Sequence, residues 1–96
     1  MTVAAQHVRH EWPAPNRRYE LLDTSGPGIR RHYRPLGGAA HVIVLRGTAD
    51  VTSGGRAVSL ATGQRADITE TEDLTVSIES GLVELYLPAE AVTVDD

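Results

Sequence analysis

Residues 40–68 read AHVIVLRGTADVTSGGRAVSLATGQRADI, short β-branched and apolar runs broken at Gly47, at Gly54-Gly55 and at Gly63. No run between these breaks is long enough for a helix, and the glycines supply the positive-φ positions that tight reversals need. The spacing therefore predicts antiparallel hairpins and an all-β chain. Strands are expected near 18–23, 29–34, 40–46, 48–53, 56–60, 66–69, 74–79 and 82–87, with Gly47 as the turn between the third and fourth. In LTVSIE, Leu74, Val76 and Ile78 alternate with Thr75, Ser77 and Glu79, so one face of that strand is wet. The run HVIVLR is apolar on both faces, which predicts a central strand.

Ninety-six residues suffice for one small domain, and a chain of this size hides only roughly 60 to 65% of its unfolded surface, so dimerisation would add needed burial. The expected organisation is an extended arm over residues 1–16, a barrel over 17–88 and an acidic tail over 89–96. Pro13 and Pro15 deny the arm a helix, and its Trp12 is expected to dock on a groove or a second subunit. The chain has no cysteine, which removes disulfides, thiolate nucleophiles and cysteine-bound zinc. Its start lacks the apolar stretch of a signal peptide and no window reaches the length of a membrane helix, so the expected location is cytoplasmic, with no membrane partner. All nine arginines lie at or before Arg65 and nine of the thirteen acids after it. Such asymmetry favours attraction between the halves, and a net charge of −4 with no lysine argues against a nucleic-acid partner.

The run VLRGTADVTSGGRAVSLATGQ resembles the core of a cupin. It is similar to the small barrel that ends the bifunctional mannose-6-phosphate isomerase/mannose-1-phosphate guanylyltransferase proteins. There too a strand leads into Gly-Thr-Ala, a second strand into a glycine hairpin, and a leucine precedes a glycine by three positions, here Leu60 and Gly63. The lead-in YELLDTSGPGIR fits the same likeness, which covers about residues 17–87. The resemblance implies a cupin-type double-stranded β-helix, a jelly-roll barrel in a single small domain.

The family's metal ligands map onto positions that cannot serve here. If Gly47 closes the first motif, its glutamate position is Ala40, and the loop that should carry paired histidines is cut to residues 34–39, RPLGGA. The second motif, begun at Gly63, places its proline, glycine and histidine at Thr69, Thr71 and Leu74. None of these side chains makes a cupin metal centre. The resemblance thus implies a degenerate cupin without a metal or other cofactor. It would be a non-catalytic module binding a small anionic or sugar-like ligand or another protein, and homodimeric through residues 40–46.

The residues left for chemistry are few. Arg30, His32 and Arg34 alternate onto one face of GIRRHYR, where two guanidiniums flanking an imidazole can grip an anion. His41 can shuttle a proton near neutral pH, although its parity with Ala40 points it out of the barrel. Tyr86, on the face of Leu82 and Glu84, can cap the lumen with its hydroxyl. The ligand-binding candidates are accordingly Arg30, His32, Arg34 and Tyr86, and the catalytic candidates are His32 and His41. The alternative they support is a metal-independent epimerase, isomerase or dehydratase of a sugar or sugar nucleotide, an isomerase or lyase with one histidine as general base.

Overall fold

The computed structural model describes residues 2–5, 17–34, 38–68, 73–88 and 93–94. Trp12, Thr69, Thr71 and residues 35–37 of the 34–39 loop lie outside them. Every regular element among the described residues is a strand: β1 (Thr2–Ala5), β2 (Arg17–Thr24), β3 (Ile29–Tyr33), β4 (Ala40–Ser53), β5 (Arg56–Ala61), β6 (Gln64–Ile68), β7 (Leu74–Ile78), β8 (Gly81–Pro88) and β9 (Thr93–Val94). All their pairings are antiparallel, and the whole curls into a half-barrel. No helix among the described residues is long and apolar enough to cross a membrane.

The curl comes from β4. Its first part pairs with β6 and β8, giving one half-sheet in the order β1-β6-β4-β8-β2, and its second part pairs with β5 and β7, giving the other in the order β5-β4-β7-β3-β9. These are called sheets A and B below. Between them the β4–β8 register slips between Val44 and Arg46, and Gly47 then lies opposite Gly81. A β-bulge of this kind sharpens the local bend. Gly47 has φ 82°, and a Cβ there would stand 2.4 Å from the carbonyl oxygen of Ser80. A Cβ on Gly81 would meet the carbonyl oxygen of Arg46 at the same 2.4 Å.

The expected turn at Gly47 is therefore corrected. One fourteen-residue strand runs through it and changes sheets, because a bulge and a close glycine pair bend the strand without reversing it. The other two breaks do turn the chain. Gly54 and Gly55, at φ 58° and 79°, close the β4–β5 hairpin in the two-residue form with both central residues at positive φ. Thr62 and Gly63 take the chain from β5 in sheet B to β6 in sheet A, and the Gly63 amide donates to the Val44 carbonyl at 2.9 Å. The two short strands β1 and β9 fall in the arm and the tail, and each lies at a sheet edge.

The space between the sheets is filled. Ala40, Val42 and Val44 of β4, Ala66 and Ile68 of β6, and Val83, Leu85 and Leu87 of β8 face inward from sheet A. They meet Val51, Leu60, Leu74, Val76, Ile78 and Tyr33 from sheet B. Burying side chains of this kind contributes roughly 1.5 to 3 kcal/mol each, set against the ordering of the chain. Tyr33 is wholly buried, and its hydroxyl donates to Glu20 Oε1 of β2 at 2.8 Å, a polar tie from sheet B to the far edge of sheet A.

Two glycines at positive φ separate close approach from backbone strain. Gly55→Ala, with open space around the new Cβ, should cost about 1 to 2 kcal/mol from its left-handed backbone alone. Gly47→Ala adds a collision with backbone and should cost about 3 kcal/mol or more. Urea unfolding of both variants checks this, and equal losses would mean that the β4–β8 contact gives way freely.

Candidate functional site

Strand parity decides what each face offers. With Ala40 and Val42 in the core, His41 and Ile43 project from the outer face of sheet A, as do Arg65 and Asp67 of β6, Glu84 and Tyr86 of β8, and Tyr19 and Leu21 of β2. The register lines them up in two cross-strand rows, Asp67–His41–Tyr86–Tyr19 and Arg65–Ile43–Glu84–Leu21. Ile43, Tyr86 and Glu84 form a floor, each under a tenth exposed, while Tyr19 at 40% and Leu21 at 50% form an open rim.

The floor holds charge. Glu84 is 8% exposed, and its Oε2 accepts the Tyr19 hydroxyl at 2.7 Å, but its Oε1 is buried with no hydrogen-bond partner. A buried carboxylate oxygen left unmatched costs roughly 1 to 3 kcal/mol, so the fold tolerates Glu84 rather than gaining from it. On the opposite flank of Ile43, Arg65 Nε lies 3.1 Å from Asp67 Oδ1 without directing its N–H there, and it too is buried and unmatched. Asp67 Oδ1 also contacts His41 Nδ1 at 2.7 Å, which fixes the imidazole's orientation. The Tyr19 and Tyr86 rings pack at 5.2 Å, tilted by 56°.

The electrostatics of the pair follow from the carboxylate. Tyr19 exposes ring surface, yet its hydroxyl end is turned onto buried Glu84. Desolvation, then the hydrogen bond to Glu84, then that residue's negative charge push its pKa from 10.0 up to about 12. Burial, with Glu84 adding, raises Tyr86 as well. Both phenols are held in their neutral, donating form.

Arg30 and His32 occupy a different surface. Inward-facing Tyr33 sets the parity of β3, so Arg30 and His32 project from the outer face of sheet B. There the rows read Ser59–Asp50–Ser77–Arg30 and Thr52–Thr75–His32–Val94. His32 Nδ1 contacts Thr75 Oγ1 at 2.7 Å, and Ser59 donates to Asp50 at 2.6 Å. This face is hydroxyl-rich and solvated, and Arg34 is exposed just beyond the end of β3.

The four ligand-binding candidates thus do not converge. Arg30 and His32 share one face, and Tyr86 sits on the outer face of the other sheet rather than over the lumen. Tyr86 leaves the lumen because Val83, Leu85 and Leu87 take the inward positions of β8. What the fold brings together instead is His41 with Tyr86, directly cross-strand, and around them Tyr19, Glu84, Arg65 and Asp67. Reading the letters alone misses these four because their partnership depends on register. Leu82 to Leu87 is apolar in both parities except at Glu84, and that lone acid in an apolar strand was the available signal.

At the positions matching the cupin ligands, Ala40 and Leu74 are fully buried in the core. Among the described residues no group of three or more histidines and acids is placed to hold a metal ion. Set against family models, curated proteins and solved structures, the chain matches none of them. The class it defines is that of a small all-β domain, a curled antiparallel half-barrel with an apolar interior and a polar-aromatic cluster on one outer face.

The raised phenol values carry a sign. A group that holds its proton more tightly when folded contributes stability present below its unfolded pKa and lost as pH climbs through the folded one. For Tyr19 that window runs from 10.0 to about 12. Unfolding midpoints followed by circular dichroism should fall across it in the wild type and fall less in Tyr19→Phe. An identical decline in the two proteins would disconnect Tyr19 from Glu84.

Proposed function

We propose that this protein is a non-catalytic binding module on a cupin-like barrel, and that its working surface is the outer face of sheet A, suited to a sugar-like polyhydroxyl ligand. The observation that carries the reading is Glu84, a buried carboxylate with one oxygen unmatched beneath an exposed tyrosine. A hydroxyl-bearing ligand that displaces the Tyr19 hydroxyl supplies donors to Glu84, accepts from Arg65, and lays its apolar side against the tyrosine ring. The cupin-like part rests on the glycine-spaced hairpins of residues 40–68 and on their closure into a curled sheet. The non-catalytic part rests on the apolar core at Ala40 and Leu74.

Sugars and sugar phosphates titrated into the protein, followed by amide NMR shifts and calorimetry, should give saturable binding centred on Tyr19, Glu84 and Arg65. Glu84→Leu should weaken it at least tenfold, about 1.4 kcal/mol, while raising unfolding stability by about 1 to 2 kcal/mol through loss of the unmatched charge. A destabilised Glu84→Leu with unchanged binding would make Glu84 structural and end the proposal.

His41 supports a second, catalytic reading, because the Asp67 contact orients its ring as acid–base pairs require. His32, whose ring contacts a threonine hydroxyl, has less to offer it. Turnover of a sugar nucleotide that vanishes in His41→Asn and persists in His32→Asn would favour this reading over the first.

A further inference from the structure

Glu84 is short of a charge as well as a hydrogen bond. It is the one acid in the outer row of Arg65, Ile43, Glu84 and Leu21, and it is 8% exposed. Among the described residues its hydrogen bond comes from a neutral phenol, Tyr19, to Oε2, and its Oε1 receives none. The cation of that row cannot answer it. Arg65 stands two strands away across Ile43, about 10 Å in strand spacings, and its Nε already lies 3.1 Å from Asp67 Oδ1.

Buried charges are as a rule paired, so a carboxylate left with one phenol is an incomplete site. A ligand hydroxyl supplies Oε1 with a donor and leaves the charge standing. A protonated amine supplies both, through a charge-assisted hydrogen bond roughly twice as strong as a neutral one. The surroundings suit a cation in a second way. The rings of Tyr19 and Tyr86 pack at 5.2 Å, tilted by 56°, beside the carboxylate, and aromatic faces attract ammonium groups within about 6 Å of the ring centre. Burial and then Glu84 raise the pKa of both phenols, so they offer rings and donors without negative charge of their own. A metal ion is the poorer fit, because it takes several oxygen ligands and no three acids or histidines among the described residues are grouped to give them.

We infer that the ligand of this face carries a protonated amine, as an amino sugar does, with its ammonium on Glu84, its hydroxyls toward Arg65 and its apolar side against Tyr19. This rests on the sugar-binding reading of the same face and goes further, since the ammonium decides which sugar is taken.

Glucose, glucosamine and N-acetylglucosamine share a ring and differ in charge. In calorimetric titrations of the full chain, with the amine of glucosamine protonated, glucosamine should bind about tenfold or more tightly than either neutral sugar, the scale of one charge-assisted hydrogen bond. Glu84→Gln keeps the length and one oxygen of the side chain and removes its charge. It should bring glucosamine down to the affinity of glucose with an unchanged circular dichroism spectrum, and the wild-type comparison stands whether or not this variant folds. Neutral sugars that bind as tightly as glucosamine would overturn the ammonium and leave the sugar-binding face intact. A preference for glucosamine that survives Glu84→Gln would overturn the place given to its charge. Binding by none of the three would end the sugar reading itself, and the amino sugar with it.

Discussion

The close passage of β4 over β8 at Gly47 and Gly81 is the constraint on which the rest of this structure depends. A strand can belong to two sheets only if it bends sharply where it leaves the first, and here the bend is made by a register slip and two backbones too close for any side chain. Upstream of it, β4 gives Ala40, Val42 and Val44 to the core and His41 and Ile43 to the outer face. Downstream, Ala49 and Val51 take over the core positions. Without the bend, β5 and β7 would extend sheet A sideways and the two inner faces would have nothing to cover them.

That same geometry shows where the letters can be read and where they cannot. The alternation in Leu74 to Ile78 and the apolar centre of β4 are local signals, and each reports its own burial faithfully because a strand's period is two. Gly47 is where local reading fails. A glycine between two apolar runs looks the same whether the chain reverses or merely bends, and only the partner strand distinguishes them. The site was less legible still. His41's outward direction follows from parity, but its neighbours Tyr86 and Asp67 come from strands 45 and 26 positions away, whose register no composition reveals. For β8 the trouble is sharper: both parities are apolar, and only the acid at 84 marks which one is spared the core.

A small domain should spend little stability on charge it does not need, and this makes the outer face of sheet A informative. The interior is apolar and well matched, and Tyr33, whose hydroxyl does reach a buried position, has Glu20 to accept its proton. Against that background Glu84 is out of keeping. An apolar residue beside Ile43 and Tyr86 would serve the fold better, since a carboxylate half satisfied in a dry site is worse than none. Residues that lower stability without helping the packing are commonly held by function. The comparison with sheet B strengthens the point, for its outer face is just as polar but open to water, and its hydroxyls and charges therefore carry no such cost.

Size links this face to the edge beside it. A chain of 96 residues cannot bury as large a share of its surface as a larger domain, and a half-barrel, unlike a closed one, leaves strand edges to be dealt with. At β9 and β1 the edges are short, four residues at most, and the β5 edge of sheet B is six residues long. At β2 the edge is eight residues long, carries the exposed tyrosine and leucine, and runs next to Glu84. Tyr19, which donates to Glu84, stands on that strand, so displacing its hydroxyl from the carboxylate disturbs the rim of the sheet and not its core.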